Sequence, residues 1–213
     1  MNEEIIEVEF LRQSLENSLR KLIRKVGKIQ IGVPEQFPFG WRKAAKGRTV
    51  WRIIEELITQ NLELHHKEFD LDNVQPSSSE VSVYDMKCQI KGHKPLFVNI
   101  KSAVLGGKKT KDDISKAQGL IELYNEDAST IFMIATFLIK FNPDMTIEFE
   151  DVIVMPVAWI PDIYVNPSNN GNLQSSHAKD LECAVRRTNK EFINELLCEI
   201  EVANQKKNRK KKD

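Results

Sequence analysis

VSVYDMKCQIKGHKPLFVNIKS, residues 81–102, decides how the rest of the chain is read. Two runs rich in β-forming residues, 80–90 and 96–102, flank the polar tip Lys91-Gly92-His93-Lys94-Pro95, the pattern of a β-hairpin. Asp85 interrupts the first run. In the second, side chains alternate, so Asn99 and Lys101 share one face while Val98 and Ile100 share the other. The apolar face is expected to hold the sheet, and the polar face to bring a carboxylate, an amide and an ammonium together. A carboxylate is costly to bury on a strand without a partner, which here would be Lys101 or a metal ion. A plain ion pair across the hairpin accounts for the same letters.

Upstream, Ile5, Val8, Leu11, Leu15, Leu19, Leu22 and Val26 recur at helical intervals, predicting a long amphipathic helix over 3–26 that stops at Gly27. Residues 32–47 hold Pro34, Pro38 and several glycines and read as a loop. A second helix follows, with Val50, Ile54, Leu57, Ile58 and Leu62 as its buried stripe and Glu55 and Glu56 beside that stripe. Pro76 and the three serines after it mark a turn before the hairpin.

Downstream, Thr110 and Asp113 form a [ST]xx[DE] capping box, predicting a third helix through Ile114, Ala117, Ile121 and Tyr124. Residues 130–141 and 145–157 are rich in Ile, Val, Phe and Thr and predict central strands buried on both faces. A short strand is expected after Pro161, then a turn over 166–171, then a closing helix over 178–203. Interleaved strands and helices make the expected fold α/β, a mixed central sheet flanked by helices, formed by residues 1–205 as one domain.

Of the 213 residues, 41% are hydrophobic and 29% charged, which excludes a disordered or fibrous chain. The longest apolar runs fall short of the roughly 20 residues a spanning helix needs, and the N-terminus opens on acids. Cys88, Cys183 and Cys198 are widely spaced, offer neither a disulfide framework nor a CxxC pair, and read as small buried free thiols. A cytoplasmic protein with no membrane partner is expected. The net charge of zero hides an asymmetry: residues 206–213 hold six of the 31 basic residues and one of the 31 acids, leaving 25 against 30 in 1–205. That tail is expected to be disordered. Within 86–119 the sign reverses, with eight lysines against Asp112 and Asp113, the kind of strip a polyanion seeks.

Common catalytic signatures fail when tested. Gly106-Gly107-Lys108-Lys109-Thr110 would need glycine at Ser102 to make a phosphate-binding loop. GxGxxG, HExxH and GxSxG are absent. His65, His66, His93 and His177 lack ligand spacing and are read as surface or capping residues.

Asp85 followed by Asn99-Ile100-Lys101, after a helix with an acidic pair and before a helix and two apolar strands, resembles the PD-(D/E)xK nuclease superfamily, and type II restriction endonucleases in particular. The resemblance spans about residues 47–174. It implies a restriction-endonuclease-like fold, Mg²⁺ as cofactor and double-stranded DNA as substrate. It makes Asp85 a metal ligand and Lys101 the group that activates the attacking water. Tyr84 replaces the motif's proline, and Asn99 stands where the family supplies its second acid. Glu55, with Glu56 as its neighbour, is the expected replacement on the helix, so the implied metal set is Asp85, Glu55 and the Asn99 oxygen.

The same resemblance implies hydrolysis of a phosphodiester bond to a 5′-phosphate and a 3′-hydroxyl, by a homodimer that matches a palindromic site. Lys108, Lys109 and Lys111 follow the catalytic strand and are expected to touch phosphates. Asn169, Asn170, Asn172 and Gln174 are candidates for adenine contacts, and Arg42 and Lys43, in the loop with Gln36 and Trp41, for groove or backbone contact. Two alternatives remain open: a nuclease fold that binds DNA but has lost catalysis, and a structure-selective repair nuclease.

Overall fold

The computed structural model describes residues 2–41, 46–79, 82–107, 111–168 and 171–209, without the side chains of 46–49. Helix α1, Glu3–Val26, begins where Asn2 accepts a hydrogen bond from Glu4 N at 2.9 Å, and carries Glu3 and Glu4 in its first turn and Arg24 and Lys25 in its last. Each charge opposes the helix dipole favourably. Gly27, at φ +64°, ends the helix by donating to Ile23 O, a backbone conformation that costs glycine little.

A short strand β1, Lys28–Gln30, precedes the loop, and α2, Lys46–His65, buries Val50, Ile54, Ile58 and Leu62 as its spacing requires. Three strands then run antiparallel: β2, Leu71–Pro76; β3, Met86–Ile90; and β4, Leu96–Val104. Strand β2 escapes a period-two reading because a register shift between Leu71 and Asn73 breaks its alternation. The first run of the hairpin is regular only from Met86 onward, shorter than expected.

After β4 the chain forms β5, Asp112–Lys116, and only then α3, Ala117–Glu126. The predicted capping box is therefore not a helix start. Thr110 lies outside the described residues, Asp113 is in a strand, and Ala117 N donates to Gly171 O at the true helix start. Strand β6, Ile131–Phe141, returns parallel to β4, with Asn99 opposite Ile134 and Lys101 opposite Thr136. Strand β7, Thr146–Pro156, pairs antiparallel with β6 and with β1. The main sheet is thus six-stranded and mixed, in the order β1-β7-β6-β4-β3-β2.

A second, three-stranded sheet was not foreseen: β5 pairs with β9, Asn172–Ser175, which pairs with β8, Tyr164–Val165. The closing helix α4 runs over Asn189–Arg209, not from 178. Residues ahead of it are drawn away from helix by tertiary bonds. Val185 N donates to Trp159 O, and the buried Arg187 guanidinium donates to the carbonyls of Ala158 and Ile160 at 2.9 and 3.0 Å. Thr188 and Glu191 then form a reciprocal capping box. The helix continues through Lys206, Lys207 and Arg209, so the basic tail is helical at least to that point.

Helix α1 lies against β7, α2 against β4 and β2, while α3 packs on α4 and α4 on β8. The core is continuous through α1, α2 and β6, whose residues 131–137 are all buried. Cys88 is buried as expected, whereas Cys183 and Cys198 are exposed. Among the described residues no helix is long and apolar enough to cross a membrane.

Candidate active site at the β3–β4 hairpin

Asp85 precedes β3 by one residue and is held by its backbone, donating to Val98 O at 2.9 Å and accepting from Ser77 N at 2.8 Å. Met86 pairs with Val98, so the antiparallel register sets Asp85 across from Asn99. The carboxylate reaches over β4, where its Oδ2 accepts from Ile100 N at 2.5 Å. Lys101, the next residue along β4, acts with its charge on the same carboxylate.

Helix α2 packs on β4 and brings Glu55 to the same place. Its side chain is 18% exposed and paired with Arg52 at 3.2 Å. Glu56, one residue on and turned by a helical step, is exposed and accepts from Gln60. Of the acidic pair, Glu55 is the one whose charge acts on Lys101.

The three groups perturb one another. Burial pushes the Glu55 carboxyl above its ordinary value, and the Asp85 charge adds to that push against Arg52 and Lys101. Burial likewise raises Asp85, opposed by the Ile100 N–H, Lys101 and Arg52. Burial lowers the Lys101 ammonium below the usual lysine range, although Asp85, Glu55, Asp113 and Asp112 all favour its charge. Desolvated, mutually coupled acids and an amine are what a proton-handling or metal-binding site requires.

Asn99 is buried at 6% exposure, and its Nδ2 donates to Val83 O at 3.1 Å. Its Oδ1 is buried without a hydrogen-bond partner. Two carboxylates and an unpartnered amide oxygen are all oxygen donors, the kind that hard cations such as Mg²⁺ prefer.

The sequence reading missed Arg52, which pairs with Glu55 and acts on Asp85, and the acids of β5, which act on Lys101. Ser115 on β5 shares the Val83 carbonyl with Asn99, donating at 2.9 Å. Arg52 lies one helical turn before Glu55 and could have been noticed by that spacing. The β5 acids were hidden by the helix expected there.

Of the DNA-contact candidates, Arg42, Lys43, Lys108, Lys109, Asn169 and Asn170 lie outside the described residues. Lys111 Nζ stands 3.7 Å from the centre of the Tyr164 ring, on the small sheet. Gln174 donates to Asp113 Oδ1 at 2.5 Å, and Asn172 pairs with Lys116 in the β5–β9 ladder. Gln174 and Asn172 thus serve the small sheet. Trp41 donates to Asn142 O at 3.1 Å and packs edge-on against Phe141, a structural role for the loop. Compared with protein-family models and with curated proteins, the chain finds no match.

Proposed function

We propose that the chain is a Mg²⁺-dependent endonuclease of the PD-(D/E)xK kind, a type II restriction endonuclease acting on double-stranded DNA. The observation that carries this reading is the meeting of Asp85, which precedes β3 and accepts from Ile100 N on β4, with Lys101 on β4 and Glu55 on α2, the helix that packs on β4, close enough for their charges to act on one another. The order of elements supports it as well: a helix, three antiparallel strands, and, after β5 of the small sheet, a crossover helix and a strand parallel to the one bearing Lys101. This is the arrangement expected of a restriction-endonuclease-like core.

Asp85, Glu55 and the Asn99 oxygen would hold Mg²⁺, which when bound supplies a positive centre against the scissile phosphate. Asp85 is oriented for that task by Ile100 N, and Glu55 by Arg52. Lys101, whose hold on its own proton is weakened by burial, accepts a proton from the attacking water as the water oxygen adds in line to phosphorus, and the departing 3′-oxygen takes a proton from solvent. Bond cleavage then leaves a 5′-phosphate and a 3′-hydroxyl. Lys111 would contact the DNA backbone, and two copies of the chain would address a palindromic duplex.

A second reading rests on Asn99: an amide replaces an acid and is engaged by Val83 O, so the fold would bind DNA without cutting it. Incubating the purified chain with mixed-sequence plasmid and Mg²⁺ separates the two. Discrete fragments, abolished in Asp85→Ala and Lys101→Ala and reduced at least about a hundredfold in Glu55→Ala, are expected for the nuclease. Retention of intact DNA favours the binding module, and normal turnover by folded Lys101→Ala would discard the site assignment.

A further inference from the structure

The segment between β9 and α4 is irregular but closely bonded. Asp180 N donates to His177 O at 3.0 Å, and Cys183 N donates to Asp180 O at 3.1 Å. Two consecutive turns therefore bring residues three apart to one side of the chain. A ring nitrogen of His177, a carboxylate oxygen of Asp180 and Sγ of Cys183 lie within 4.8 Å of one another. The cluster uses none of the residues of the Asp85 site.

Behind the histidine stands a second layer. Asp162 accepts from Ser175 Oγ and, at 2.7 Å, from Ser176 N, so its carboxylate is locked to the end of β9. His177 N donates to Ser175 Oγ at 3.1 Å. Asp162 Oδ1 is 3.6 Å from His177 Nδ1, a buried nitrogen with no hydrogen-bond partner. Drawn in by a few tenths of an ångström to hydrogen-bond distance, a carboxylate so placed fixes the tautomer of a metal-binding histidine.

We propose that His177, Asp180 and Cys183 bind one Zn²⁺ ion. His177 ligates through Nε2 while its Nδ1–H faces Asp162, and water takes the fourth position. Imidazole, thiolate and carboxylate together suit Zn²⁺ and disfavour Mg²⁺ and Ca²⁺, which select all-oxygen sets. Around a tetrahedral ion with bonds of about 2.0–2.3 Å the donors stand roughly 3.5 Å apart, so a closure of about 1 Å completes the site. Binding requires Cys183 as thiolate, and its proton passes to solvent. The exposure of Cys183 gives the ion an entry path. The bound ion would clamp the segment that carries Lys179, whose Nζ is 2.6 Å from Asp112 Oδ2 on β5.

The test uses the full chain, stripped of metal by EDTA and titrated with Co²⁺ alone. One equivalent should produce a near-ultraviolet thiolate-to-cobalt band that added Zn²⁺ removes. Cys183→Ser should lose the band, Cys198→Ser should keep it, and Asp162→Asn should weaken Zn²⁺ binding at least about tenfold. In the unmutated chain Zn²⁺ should also protect Cys183 from iodoacetamide, a readout that needs no variant. A folded chain that shows no thiolate band, a band that survives Cys183→Ser, or alkylation of Cys183 unaffected by Zn²⁺ would each overturn the assignment.

Discussion

Asn99 concentrates the chemistry of the hairpin in one side chain. Its Nδ2 satisfies the Val83 carbonyl, while its buried Oδ1 faces no donor. Asn99→Asp replaces the donor with a carboxylate oxygen set against that carbonyl, and is expected to cost about 2–3 kcal/mol without a cation. Mg²⁺ should return much of that loss. Thermal melts should therefore show a larger Mg²⁺-dependent gain for Asn99→Asp than for the wild type, with cleavage retained or raised. An equal gain in both chains would place Oδ1 away from the cation.

At the scale of elements, the docking of α1 on β7 depends on a carboxylate. Glu16 is buried, accepts from Arg12 at 2.8 Å, pairs with Arg20 at 2.8 Å, and accepts from Val154 N at 3.1 Å. Glu16→Ala leaves the Val154 N–H without its acceptor and takes one carboxylate from each of Arg12 and Arg20, which keep Glu9 and Asp151, an expected loss of about 2 kcal/mol in urea unfolding. Arg20 also binds Asp151 on β7, and this hydrogen bond holds the Asp151 carboxyl below its ordinary value. A group lowered on folding stabilises above its ordinary value and loses that contribution as pH falls through the lowered one. Asp151→Asn should therefore cost up to about 1 kcal/mol at neutral pH, since both partners are partly exposed. The gap to wild type should close below the ordinary aspartate range. A gap independent of pH would assign the loss to something other than charge.

Across the whole molecule, the six-stranded and three-stranded sheets are joined by residues far apart in the chain. Val83 O is shared by Asn99 of the larger sheet and Ser115 of the smaller. The segment before α4 is tied back by Arg187, whose own carbonyl accepts from Trp159 Nε1 at 3.1 Å. Arg187→Ala removes two hydrogen bonds to buried carbonyls, an expected loss of about 2–3 kcal/mol. Limited proteolysis should then open the chain between 176 and 188 before cutting elsewhere. Unchanged stability would mean that the segment holds without this arginine.

Local pattern was enough to determine the elements whose residues repeat regularly. Helix α1 ends at Gly27, α2 buries its 50–62 stripe, and β6 and β7 are long β-forming apolar runs, because helical and strand periods mark which side faces the core. The alternation of β4 likewise placed Asn99 and Lys101 on one face opposite Asp85. Only the tertiary structure decided the second sheet, the late start of α4, and the placing of Glu55 rather than Glu56 beside Lys101. Each of these depends on bonds from distant partners such as Gly171 to Ala117, Arg187 to Ala158 and α2 to β4. Spacing along a chain records local periodicity, and carries no record of contacts that close long loops.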